Sequence, residues 1–446
     1  MPSTSGFTAL RGTALTFTDD PFQVGGEASA HVESDALVLM QDGRIAAFGA
    51  YDAIKDQIPA GTAVTSYANA LILPGFIDTH VHYPQTGIIG SYGRQLIDWL
   101  DDYTYVAEQR FADAAHAREV AKMFLRECVR AGTTSAMVFC TVHPQSVDAF
   151  FEEAAAIGAR MIAGKVLMDR NAPAALLDTP QRGYDESKAL IRRWHGKERL
   201  SYAITPRFAA TSSPGQMEIA GALWKEHPDT YLQSHVSENL REIAWIRTLY
   251  PERRGYLDVY DHYGQLGPRA VYGHGVHLTE EELARCHETG TAIAHCPTSN
   301  LFLGSGCLDV ANVRRADRPV RVGLATDIGA GTSFSALQTM SEAYKVAQLK
   351  GQSPSAWHAF YLATRGAAEA LYLDDTIGSI APGYEADLVV LDLRSTALID
   401  FRMRSCNSLE EALFVQMTLG DDRATRATYV AGRCVYDRER ATPHAF

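Results

Sequence analysis

The hydrophobic rhythm of the chain changes twice. Up to about residue 74, short apolar runs are separated by turn residues. Ala36 to Gly49, "ALVLMQDGRIAAFG", places two apolar runs around Asp42-Gly43, which predicts a two-residue β-hairpin. In "ALILPGFIDTHVH", Ala70 to His82, Pro74-Gly75 interrupts an apolar run, so one sheet is expected to end there and a strand of another to begin. Beyond Gly75 strand-like and helical stretches alternate. Phe111 to Gly132 has the spacing of a long amphipathic helix, and "TTSAMVFC" after it reads as a strand. "VDAFFEEAAAIGAR" is helical, and "MIAGKVLM", "YAITPRF", "YLQSHVSEN", "AVYGHGVHL", "TAIAHCPTS" and "RVGLATDIG" end strands. About eight β-then-α units are expected, as a (β/α)8 barrel requires. After about Leu373, "GSIAPGYEADLVVLDL" and "RATYVAGRCVYD" return to strands with Gly-rich turns.

The expected fold is therefore α/β: a (β/α)8 TIM-type barrel over residues 75–375, with a small composite β-sandwich domain built from both chain ends, 1–74 and 376–446. At 446 residues and 46% hydrophobic, the chain can bury a large core.

Charge and cysteine content narrow the function. Acidic residues number 53 against 41 basic ones, for a formal net charge of −12, and no Lys/Arg run tracks a phosphate backbone. A nucleic-acid partner is not expected. The seven cysteines are scattered without a C-x-x-C pair, which suits a reducing compartment. The first twenty residues lack a charged head and apolar core, and no apolar run approaches the length of a membrane span. A cytoplasmic protein with no membrane partner is the expectation.

Candidate chemistry concentrates at the strand ends of the barrel region. Residues i and i+2 of a strand face the same side, so His80 and His82 can reach one ion. Alone, such a pair is weak evidence, because a buried histidine is usually hydrogen-bonded rather than ligating. His235, His274, His295 and Asp327 recur at apparent strand ends, where barrel enzymes build their sites. Imidazoles with a carboxylate suit zinc or ferrous iron. In "SHVSEN" the chain must turn after His235 for Glu238 to serve the same site as a proton acceptor; taken alone, Glu238 reads as a surface carboxylate or a helix N-terminal charge. Asp327, alone, reads as a helix cap or turn residue. His31-x-Glu33 resembles half of a zinc deaminase motif, but no P-C-x-x-C follows, so His31 reads as structural. Lys165 could bridge two metals if carboxylated; pairing or packing within the barrel is the expected role.

"PGFIDTHVH", "AHCPTSN", "GLATD", "GRIAAFG" and "GYEADLVVLD" together resemble the amidohydrolase superfamily. Within it, "THVHYPQ", "GKVLMDRN", "TPRF", "SHVSEN" and "AHCPTSNLFLGSG" are most similar to the guanine deaminases, over nearly the whole chain. The resemblance implies one Zn2+ per chain, with Fe2+ as the other candidate, held by His80, His82, His235 and Asp327. It implies that Glu238 shuttles protons, that His274 stabilises a developing oxyanion and that Asp327 accepts the second proton. It places a purine against Gln85, Arg207 and Phe208, beside His82, Glu238 and Asp327. Arginine matches the adjacent O6 and N7 acceptors of guanine, and an amide can both donate and accept toward N1–H and O6. Considered singly, Arg207 reads as an ion-pair residue and Phe208 as core. The activity implied is hydrolysis of guanine to xanthine and ammonia, in a homodimer. The alternatives are deamination of 8-oxoguanine or an aminotriazine on the same fold, and a two-metal cyclic-amide hydrolase using Lys165.

Overall fold

Gly75 separates two sheets. A Cβ there would come within 2.2 Å of the Thr134 hydroxyl, so only glycine lets the chain pass from one sheet into the other. The computed structural model describes residues 6–93 and 95–440; the first five residues of the stretch read as lacking a leader lie outside them.

Before Gly75 run β1 (Phe7–Phe17), β2 (Ala30–Gln41), β3 (Arg44–Ala50) and β4 (Val64–Pro74). The hairpin expected at Asp42-Gly43 joins β2 to β3, and both turn residues have positive φ, 51° and 80°. After Gly75 come β5 (Phe76–His82), β6 (Thr133–Phe139), β7 (Arg160–Gly164), the two-residue β8 (Val166–Leu167), β9 (Leu200–Pro206), β10 (Tyr231–Val236), β11 (Ala270–His274), β12 (Ala292–His295) and β13 (Val322–Leu324). They form one parallel sheet in the order β13-β12-β11-β10-β9-β7-β6-β5, with β8 pairing β9. At the seam, the Thr79 hydroxyl donates to Leu324 O at 3.0 Å and Asp327 N–H to His80 O at 3.0 Å, so the sheet rolls into a nearly closed barrel of eight strands. All seven residues of β5 and all seven of β6 are buried, as expected of parallel strands covered on both faces.

The C-terminal strands β14 (Leu388–Asp392), β15 (Thr425–Val430) and β16 (Arg433–Asp437) join the N-terminal ones in a seven-stranded sheet, ordered β16-β15-β14-β4-β1-β2-β3. The two chain ends meet where β4 runs antiparallel to β14, Leu388 opposite Pro74 and Asp392 opposite Ala70. Leu10, Val38, Ile45, Leu388, Val390 and Tyr429 share one core cluster, and Ala386 N–H donates to Gly43 O at 2.8 Å. The sheet thus curls so that its N- and C-terminal strands enclose common apolar side chains.

Between β14 and β15 the chain is not strand. It forms helices Ala397–Met403 and Leu409–Leu419, the second of which carries Leu413 and Met417 into the same core as Leu337 and Met340 of helix Ala336–Leu349. Where sheet meets barrel, Glu385 pairs with Arg160 at the start of β7 and Arg199 just before β9. Among the described residues no helix is long and apolar enough to cross a membrane.

Candidate active site

His80 and His82 project together from the C-terminal end of β5, as their spacing predicts. Gly273 makes room for the first: a Cβ there would lie 2.6 Å from His80 Cε1. His235 enters from β10, with its Nδ1 2.6 Å from Arg207 O, a contact that leaves Nε2 facing inward. His82 Nε2 and His235 Nε2 are 3.1 Å apart. Asp327 Oδ1 lies 3.4 Å from both His80 Nε2 and His82 Nε2.

The turn required after His235 is present. Ser237 has φ 48°, and it swings Glu238 back into the cleft. The next helix, Leu240–Leu249, begins with a capping box of Asn239 and Glu242; Glu242 Oε2 accepts from the Glu238 N–H at 3.0 Å and so holds the turn in place. His274 and Asp327 also have positive φ, 74° and 52°. Such conformations cost on the order of 1 kcal/mol each and collect where side-chain aim matters more than stability.

His274 Nε2 lies 3.4 Å from Glu238 Oε2 and 3.8 Å from Asp327 Oδ2, while its Nδ1 meets Asn300 Oδ1 at 2.8 Å. The Ser305 hydroxyl donates to Glu238 Oε1 at 2.8 Å. Gln85 follows in the turn Tyr83–Ile88, with its carbonyl oxygen accepting from Gly329 N–H at 3.2 Å. Arg207 and Phe208 leave the end of β9. Arg207 Nη1 donates to both oxygens of Glu108, at 2.9 and 2.7 Å. The ion pair read for Arg207 is therefore present, in a side chain that also lines the cleft described next.

One narrow cleft is lined by His82, Gln85, Arg207, Phe208, His235, Glu238, His274 and Asp327, with Trp99 and Leu303 among its apolar walls. His80 lies just beneath it, buried, its Nε2 turned toward Asp327. Burial drives the imidazoles of His80, His82 and His235 below their ordinary range, so all three are neutral and offer lone pairs. Burial also opposes charge on Asp327, but the neighbouring imidazoles of His80 and His274 outweigh it and hold the carboxyl at about 2. Burial lowers His274, yet the carboxylates of Glu238 and Asp327 prevail and raise it. Burial raises Glu238 despite His274 beside it.

These donors fit a divalent ion. Metal–nitrogen bonds of about 2.0–2.1 Å at a tetrahedral angle put two imidazole nitrogens roughly 3.3 Å apart. His80, His82 and His235 form one group of potential ligand atoms within 4.8 Å of one another, and His80, His274, Cys296 and Asp327 form a second. Cys296 is the less suited donor: burial keeps its thiol protonated, and it contacts Ala294 O at 3.4 Å.

Three sequence candidates fall elsewhere. His295 leaves β12 toward a separate cavity lined by Phe22, Leu308 and Tyr344, not toward the cleft. Lys165 is fully buried, paired with Asp178 and 3.4 Å from Glu186, which accords with a barrel ion pair. His31 is exposed on β2 and meets the Phe48 ring edge-on at 5.7 Å. Conversely, Glu108, Asn300, Ser305 and Cys296 were not singled out. The last three lie within "AHCPTSNLFLGSG", where a polar side chain every few residues was the available signal. Glu108 had none, since "YVAEQRF" reads as ordinary helix.

The model of the amidohydrolase family matches residues 71–435. The chain belongs to the amidohydrolase family. That match begins in β4 and contains the whole barrel. Guanine deaminase of Escherichia coli (strain K12) is 52% identical over 434 residues, covering 96% of this chain and 98% of that one. The solved structure of E. coli guanine deaminase superposes with a TM-score of 0.94 at 51% identity, over 97% of this chain and all of that one. A guanine deaminase from C. acetobutylicum, solved with guanine bound in its active site, gives a TM-score of 0.86 at 27% identity, over 96% of this chain and 100% of that one. An amidohydrolase with this cleft is an enzyme, a hydrolase of carbon–nitrogen bonds.

Proposed function

We propose that the chain hydrolyses guanine to xanthine and ammonia, with one divalent ion, zinc or ferrous iron, held by His80, His82, His235 and Asp327. The observation that carries this reading is the meeting, in one cleft with His80 just beneath it, of the neutral imidazoles of His82 and His235 and an ionised carboxylate with Glu238, His274 and the set Gln85, Arg207 and Phe208. The relatives act on guanine by name, which supports guanine as the ring received by this cleft.

When bound, the ion supplies a Lewis acid that lowers the pKa of a water toward about 7. The other roles fall to the chain itself. Arg207 and Gln85 address the O6, N7 and N1–H edge, and Phe208 offers a ring face. Glu238, raised by burial, takes a proton from the attacking water and gives it to ring N3 as the water oxygen bonds to C2. Asp327 takes the second proton and hands it to the 2-amino group, which leaves as ammonia when the C2–N bond breaks. His274, raised by its carboxylate neighbours, donates toward the charge that gathers on the new oxygen.

The test is to incubate zinc-loaded protein with guanine and follow xanthine by absorbance and ammonia by a coupled assay. Stoichiometric formation of both is expected. Fully metallated protein that releases neither refutes the reading, and release from 8-oxoguanine or an aminotriazine instead assigns one of those rings.

A further inference from the structure

Glu108 comes from helix Tyr105–Gln109, in the segment that links β5 to β6. It is fully buried. Arg207 Nη1 donates to both of its carboxylate oxygens, and the Gln85 side chain stands beside it and favours its ionised form. Gln85 is held from the other side, where its carbonyl oxygen accepts from Gly329 N–H. Glu108 therefore fixes one of the polar side chains assigned to the purine edge and neighbours the other. Because its two bonds go to Nη1, the remaining donors of the Arg207 fork are left for the cleft that Arg207 lines.

We propose that Glu108 is a positioning residue for substrate recognition, which locks the Arg207 fork in its place beside the Gln85 amide. This rests on the guanine reading above and deepens it. An amide has two faces, and a rotated Gln85 would present a donor where guanine carries N1–H. With the side-chain oxygen on Gly329 N–H and an acceptor-only carboxylate nearby, the flip is disfavoured, and the oxygen's second lone pair remains available. Glu108 also balances the Arg207 charge. That charge is felt at His80, His82 and His235, whose imidazoles it pushes further down. A buried ion pair is weak evidence of a stabilising role, since apolar replacements of similar volume are often neutral or better. Its pairing with a side chain that lines the cleft beside Gln85 points to orientation of ligand-binding groups instead.

The experiment compares wild type, Glu108→Gln and Glu108→Asp at saturating zinc, with metal content and thermal midpoint measured alongside. Interactions made equally in the ground and transition states appear in KM rather than kcat. Glu108→Gln is expected to raise KM for guanine about tenfold or more, with kcat within about threefold of wild type. The inhibition constant of hypoxanthine, which keeps O6, N7 and N1–H but lacks the leaving amine, should rise in parallel. Glu108→Asp keeps the charge and should recover part of the loss; if Glu108→Gln does not fold, it alone carries the test through its own rise in KM. Unchanged KM and hypoxanthine inhibition, or a fall in kcat alone, overturn the proposal. If wild type does not deaminate guanine, the functional reading fails first; if it does and the variants keep wild-type KM, only the role of Glu108 fails.

Discussion

The Nε2 atoms of His82 and His235 lie 3.1 Å apart, with Asp327 Oδ1 3.4 Å from His82 Nε2. Two neutral imidazoles share at most one proton across that gap, so lone pairs and a carboxylate face one another in a buried site. A cation relieves this. Stripping the metal with a chelator is expected to lower the thermal midpoint and abolish turnover, and adding zinc should restore both. Binding at a thousandfold excess over Kd is worth about 4 kcal/mol of stability. His235→Ala should leave well under one ion per chain by elemental analysis; full metal content in that variant would remove His235 from the ligand set.

Glu238 separates proton transfer from metal binding. Its carboxylate touches Ser305 and His274, and no histidine of the proposed metal set is among its hydrogen-bond partners. Glu238→Gln is expected to keep the metal and the fold while turnover drops by about 10²–10⁴. Near-normal kcat in the metallated variant would show that another group moves the proton.

The barrel was legible because its strands are continuous apolar runs separated by amphipathic helices, and His80-x-His82 was legible because strand periodicity is local. Glu238 could be tied to His235 only by supposing a turn, and Ser237 supplies it. Glu108 could not be read at all. It is 99 residues from Arg207, and nothing in "YVAEQRF" distinguishes a carboxylate aimed inward from one in solvent. His295 shows the converse: it looks like His235 in sequence, but ends its strand facing the outer helices, and only the pairing register of β12 decides that. The helices between β14 and β15 were hidden for a related reason. Leu409–Leu419 buries Leu413 and Met417 against a barrel helix, so its apolar positions are set by a partner distant in the chain.

Lys165 tests the one-metal reading against the two-metal one. Its ammonium is committed to Asp178 and Glu186. Lys165→Ala should leave metal content unchanged while destabilising the fold by about 3 kcal/mol, because the buried Asp178 carboxylate then keeps only Arg182, 3.4 Å away, as a partner. Elemental analysis and denaturant unfolding measure the two separately. Loss of one of two ions per chain would instead support a bridging lysine.

Acid should loosen the junction between sheet and barrel. Glu385, 7% exposed, receives Arg160 Nε at 2.7 Å and Arg199 Nε at 2.9 Å. Burial opposes its ionisation, but Arg160 and Arg199 outweigh that and hold its carboxyl below the ordinary 4.5. A carboxyl depressed by folding contributes stability that is fully present above its unfolded pKa and is lost as pH falls through the lower folded value. Glu385→Gln is therefore expected to cost about 3 kcal/mol near neutrality, because it leaves two arginines underpaired at a largely buried site. Wild type loses that advantage on acidification and the variant has none to lose, so the gap in thermal midpoint should narrow steadily as pH drops below the ordinary glutamate value. A gap that stays constant down to the acid limit of folding would mean that Glu385 contributes through packing rather than charge.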